Sequence, residues 1–63
     1  MKINDAIIRK RIEHGLTQKE LAEKIGCYAK DVCRWETGVR KPTAESLVKI
    51  AKALDCTLDD LVT

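Results

Sequence analysis

One arrangement occurs five times in this 63-residue chain: an apolar residue, a cap position, three further residues, then a second apolar residue. The instances are INDAII, LTQKEL, CYAKDV, PTAESL and CTLDDL. This is the spacing of a hydrophobic staple, which packs the residue before a helix cap against the fifth residue beyond it and fixes the chain's entry angle. Four cap positions hold Asn4, Thr17, Thr43 and Thr57, whose side-chain oxygens can accept the orphan N–H groups of a first turn. Thr17 and Glu20 have capping-box spacing, and Asp60 can serve Thr57 similarly. Gly15, Gly26 and Gly38 stand where helices should stop, because glycine enters the left-handed region without a Cβ penalty. No segment alternates as a strand does. The pattern predicts an all-α domain with helices near 4–14, 17–25, 28–37, 43–54 and 57–62. Leu47, Ile50, Ala51 and Leu54 form a core-facing stripe on the fourth.

The third start breaks the rule. Its cap is Tyr28, where Ser or Thr would stabilise by roughly 1 kcal/mol more. Asp31, three residues on, compensates in part through the helix dipole. Two readings stand: drift at a tolerant position, or a role for Tyr28 outside the domain. The surrounding CYAKDVCRW also holds the single Trp and two of the three Cys, in a chain without Phe.

Size narrows the function. A chain this long buries only about 60% of its unfolded surface, which leaves no room for a deep catalytic cleft. The composition, 44% hydrophobic and 35% charged, is that of a soluble globular domain. Apolar runs of two or three residues are too short to span a bilayer, and the N-terminus lacks an apolar signal core, so cytoplasmic residence is expected. The net charge of +2 is unevenly spread. Residues 1–41 carry ten Lys/Arg against six Asp/Glu (+4), and residues 42–63 carry two against four (−2). That asymmetry fits a basic face.

The run QKELAEKIGCYAKDVCRWETG, residues 18–38, resembles the helix-turn-helix of the phage repressor and Cro family. The resemblance extends from RKRIEHGLTQ to LVKIAKALDCTLDDL. Ala22 is small where two helices cross, Gly26 permits the tight turn, and Leu21, Ile25, Val32 and Trp35 are apolar toward the core. The resemblance implies one compact five-helix, repressor-like domain over residues 1–63, with the motif at helices 2 and 3. It makes 28–37 the recognition helix, which such motifs lay in the major groove. It places base reading on Ala29, Lys30 and Arg34, with Tyr28 at the groove edge. Arg or Lys donates to guanine O6 and N7, and an alanine methyl can meet a thymine methyl. Phosphate contacts fall on Gln18, Thr37, Arg40 and Lys41. An ion pair between Arg11 and Glu36 is implied as well, tying the first helix to the recognition helix. Family members often carry Ser or Thr at the place of Tyr28, Gln or Arg at Lys30 and Asn at Thr37, so the operator does not transfer.

The same residues also admit plainer roles. Trp35 lies one turn from Val32 and reads as core rather than as a base-stacking ring. Arg34 could be a solvated charge, though the resemblance favours DNA, and Lys30 suits base or phosphate equally. Cys27 and Cys56 occupy staple positions and read as small buried hydrophobes. Cys27 and Cys33 point about 240° apart on one helix and make poor joint metal ligands. A zinc site with His14 lacks any recognised spacing, so no metal or cofactor is expected.

The sequence thus reads as a double-stranded-DNA-binding transcriptional regulator, a repressor, working as a homodimer on a pseudo-palindromic operator. Leu58 and Val62 supply the dimer contact, and no membrane or small-molecule effector takes part. An antitoxin that binds a toxin and its own promoter is the alternative, weakened by the lack of a toxin-wrapping segment. A stoichiometric protein partner in a pull-down would favour it. One His, no Cys–His pairing and no clustered carboxylates speak against a small enzyme.

Overall fold

The computed structural model describes residues 3–62. Five α-helices follow in order: α1 (Ile3–Glu13), α2 (Gln18–Ile25), α3 (Ala29–Thr37), α4 (Ala44–Ala53) and α5 (Leu58–Val62). α3 packs against α1 and α2, while α4 and α5 close the core from the other side.

The cap chemistry largely follows the sequence. Thr17 Oγ1 accepts the Glu20 N–H at 3.0 Å, and Glu20 Oε1 accepts the Thr17 N–H at 2.8 Å. Thr57 and Asp60 repeat this box at 3.2 and 3.0 Å. Thr43 Oγ1 accepts the Ser46 N–H at 3.1 Å. These bonds hold the Glu20 and Asp60 carboxyls below their usual pKa, chiefly because a backbone N–H stabilises each ionised form. Asn4 corrects the expectation. It is not the cap of α1 but lies inside it, and its side-chain amide donates to the Glu36 carbonyl at 3.4 Å. The helix begins before Asn4, so its side chain stands beyond the cap position and its amide N–H reaches a tertiary acceptor instead.

Three junctions share a mechanism not visible in the start pattern alone. At Gly15, Gly26 and Asp55 the backbone enters positive φ (67°, 80° and 50°). The next residue's N–H then bonds a carbonyl five positions back: Leu16 to Arg11 at 3.1 Å, Cys27 to Ala22 at 2.9 Å, Cys56 to Ala51 at 2.9 Å. That is the Schellman closure. The same apolar residue therefore ends one helix and staples the next. Cys27 and Cys56, expected to be buried, stand at two of these junctions and are only half-buried against the core. Both thiols are pushed up in pKa, first by burial and then by a nearby aspartate.

The core is Ala6, Ile7, Leu21, Ala22, Val32, Trp35, Ile50, Ala51, Leu54 and Leu61, with Leu16, Ile25 and Leu47 packed on its margin. Three of the five staple endpoints, Leu21, Val32 and Leu61, are fully buried. The capping devices and the core stripes thus select the same helix faces, and Trp35 sits in the core at 8% exposure.

Candidate nucleic-acid interface

α3 is held by its inner face. Val32, Trp35 and Glu36 are buried, so at about 100° per residue the opposite side carries Lys30, Arg34 and Thr37. All three are exposed, with Ala29 and Cys33 half-buried on the flank. Tyr28 stands at the tip with 74% of its surface exposed. Its side chain makes no capping hydrogen bond, and the turn is closed instead by Asp31 Oδ2, which accepts the Tyr28 N–H at 3.2 Å. The compensation for a poor cap is thus a direct hydrogen bond, beyond the dipole effect expected. Asp31 Oδ1 also lies 3.8 Å from Arg34 Nη1.

Glu36 fixes how α3 sits on the rest of the domain. It is 6% exposed and is the one buried charged residue among those described. Its carboxylate accepts Arg11 Nε at 2.6 Å and Arg11 Nη2 at 3.0 Å, a bidentate pair between α3 and α1. Gln18 Nε2 donates to the same carboxylate at 3.0 Å. Arg11 Nη1 donates to the Leu16 carbonyl at 2.7 Å, which ties in the α1–α2 turn. The Arg11 pKa is raised because the ionised form donates to Glu36, and burial opposes this more weakly. No buried side-chain polar atom among the described residues lacks a partner.

The expected phosphate residues border this face. Gln18 is half-buried and commits one amide N–H to Glu36. Its own backbone N–H precedes the first internal bond of α2, from Leu21 to Thr17, and so belongs to the orphan donors of a helix start. Thr37 Oγ1 donates to the Arg34 carbonyl at 3.3 Å. Arg40 and Lys41 are exposed in the α3–α4 loop. They line a cleft of about 260 Å³ that also takes in Thr43 and Ser46 from the start of α4, together with Asp31 and Lys49. Cations beside a helix N-terminus favour an anion. Lys49, which the sequence did not single out, borders this cleft from α4 and lies 3.5 Å from Glu45 one turn before it.

Leu58 and Val62 are each 44% exposed, whereas Leu61 between them is fully buried. No group of three or more potential metal ligands occurs among the described residues. No described helix is long and apolar enough to cross a membrane.

The family described as Helix-turn-helix matches residues 7–61. The chain belongs to the helix-turn-helix family. Its sequence is 38% identical over 61 residues to the cryptic phage CTXphi transcriptional repressor RstR of Vibrio cholerae serotype O1, covering 97% of this chain and 54% of that protein. It is 34% identical over 62 residues to the HTH-type transcriptional activator BcrR of Enterococcus faecalis, covering 98% of this chain and 30% of that one. The chain therefore spans about half of the first relative's length and under a third of the second's. Among solved structures, this helix-turn-helix chain superposes on the P22 c2 repressor in complex with synthetic operator 9T with a TM-score of 0.93 and 25% identity. That match covers 100% of this chain and 96% of the other. The solution structure of the P22 c2 repressor DNA-binding domain gives a TM-score of 0.93 at 26% identity, covering 97% and 80%. The five-helix, repressor-like architecture expected from the sequence is thus the observed fold.

Proposed function

We propose that this chain is a sequence-specific double-stranded-DNA-binding transcriptional regulator, a repressor, acting as a cytoplasmic homodimer. The observation that carries the reading is the two-sided anchoring of α3. Val32, Trp35 and the Arg11–Glu36 pair hold its inner face, so Lys30 and Arg34 project outward one turn apart. Support comes also from the likeness, over the whole of this chain, to a repressor in complex with a synthetic operator.

In this reading α3 enters the major groove. Arg34 donates to guanine O6 and N7, Ala29 meets a thymine methyl, and Lys30 reaches a base or phosphate. Tyr28 lies against the groove edge. Gln18, Thr37, Arg40 and Lys41 hold the phosphates on either side and set the register without reading sequence. A monomer touching three or four base pairs would discriminate little, and the half-exposed Leu58 and Val62 on α5 offer a patch through which two copies pair.

Selection of bound duplexes from a random pool tests the reading. The expected product is a pseudo-palindromic motif whose half-sites lie about 10 base pairs, one turn, apart. Recovery of unenriched sequence would contradict it.

A further inference from the structure

α3 carries one acid on its outer flank, and its two carboxylate oxygens do different things. Asp31 Oδ2 accepts the Tyr28 N–H at 3.2 Å, closing the first turn. Asp31 Oδ1 lies 3.8 Å from Nη1 of Arg34, one turn further along. The side chains remain 31% and 45% exposed, respectively, so in water this pair adds little to stability. Its consequence is for charge and aim.

We propose that Asp31 is a positioning residue for DNA recognition: by pairing with Arg34 it suppresses phosphate clamping by that guanidinium and aims it at a guanine edge. The proposal rests on the DNA-binding reading above. Attraction to phosphate is a net-charge effect, independent of sequence and sensitive to salt. Recognition of guanine needs two directional hydrogen bonds, to O6 and N7. A carboxylate beside Arg34 cancels much of the first effect and leaves the second intact. The guanidinium has five N–H donors in a fixed fork, more than the 3.8 Å approach of Asp31 Oδ1 to Nη1 can occupy.

The tether is itself anchored. Asp31 is held by a backbone N–H of its own helix rather than by a mobile side chain. Arg40, Lys41 and Lys49 border the same cleft as Asp31, yet Arg34 is the cation within ion-pair distance of it. Lys30, on the same outer face, makes no ion pair among the described residues and remains a full point charge. Asp31 thereby separates two cations of one helix face into different tasks.

The test uses the selected operator, its single-base substitutions and an unrelated duplex, each titrated across a salt series. Wild type, Asp31→Asn, Arg34→Ala and the double variant are compared. Asparagine keeps an oxygen for the Tyr28 N–H and removes the charge, and melting temperatures verify that each variant is folded. Asp31→Asn is expected to tighten binding to the unrelated duplex and to steepen the salt slope by up to about one. It should reduce discrimination at one base pair by roughly threefold to tenfold. In the Arg34→Ala background the same substitution should leave discrimination at that base pair unchanged. If Arg34→Ala relaxes one base pair and Asp31→Asn alters neither discrimination nor slope, the role of Asp31 is overturned and the reading face stands. If Arg34→Ala weakens every sequence alike, the reading face falls and the role of Asp31 falls with it.

Discussion

Replacing Glu36 with alanine removes the acceptor of three hydrogen bonds at once: from Arg11 Nε at 2.6 Å, Arg11 Nη2 at 3.0 Å and Gln18 Nε2 at 3.0 Å. The Arg11 side chain is 15% exposed and would keep only the Leu16 carbonyl as partner. Removing one member of a buried pair costs about 3–5 kcal/mol, because the other charge stays desolvated and uncompensated. The residual exposure of Arg11 places the loss near about 3 kcal/mol, at the lower end of that range. A domain of this length has a total stability of roughly 3–9 kcal/mol, so the variant should be marginal. Its melting temperature should fall by about 12 °C or more, at about 4–8 °C per kcal/mol. Glu13→Ala is the control: Glu13 lies 3.6 Å from Lys10 with its side chain 53% exposed, and such a pair contributes under about 1 kcal/mol. Thermal melts by circular dichroism compare the two. Glu36→Gln, which keeps an acceptor oxygen, should fall between them and remains measurable if the alanine variant does not fold. Melting temperatures within about 2 °C of each other for Glu36→Ala and Glu13→Ala would refute the claim that this pair fixes α3 to α1.

Tyr28→Ser should raise stability by about 1 kcal/mol through a true side-chain cap while weakening operator binding, as melts and titrations together would show. An unchanged affinity would return Tyr28 to drift at a tolerant position. Glu20 has its folded-state pKa lowered below the ordinary 4.5 by the Thr17 N–H. Its charged form therefore contributes stability above that value and loses it as pH falls through the lowered pKa. The stability gap between wild type and Glu20→Gln should accordingly narrow in melts below pH 4.5, and a gap independent of pH would contradict this. Replacing Leu58 and Val62 together with lysine should abolish the proposed dimer in sedimentation while preserving helix content, since both are exposed and Leu61 is buried in the core. A dimer that survives would place the interface elsewhere.

Much of this fold is written locally. Caps such as Thr17, Thr43 and Thr57 depend on residues within three or four positions, so their chemistry is legible in the sequence. The same locality explains the failure at Asn4, whose side chain reaches Glu36, 32 residues away. No local pattern contains that distance. Asp55 is missed for a different reason: the αL conformation that glycine advertises at the other junctions is adopted there by a residue with a side chain. The Arg11–Glu36 pair was implied by resemblance to a family, not by spacing. Its third partner, Gln18, emerged only from the packed arrangement of α1, α2 and α3. The outer face of α3 was implied by the same resemblance, and the burial of Val32 and Trp35 agrees with it by leaving Lys30 and Arg34 on the opposite side of the helix. The pairing of Arg34 with Asp31 was not legible, since the local pattern gives Asp31 only a dipole role at the helix start.

The central claim is that the outward face of α3 reads base sequence through Arg34 while the residues around it hold phosphate. Its most direct test is equilibrium binding of wild type, Arg34→Ala, Arg40→Ala and Gln18→Ala to the selected operator and its single-base variants across a salt series. Arg34→Ala should lose about 1–3 kcal/mol on the best site and relax preference at one base pair. Arg40→Ala and Gln18→Ala should weaken all sequences alike, and loss of Arg40 should flatten the salt slope by about one. Uniform weakening by Arg34→Ala, with preference at every position retained, would contradict the account.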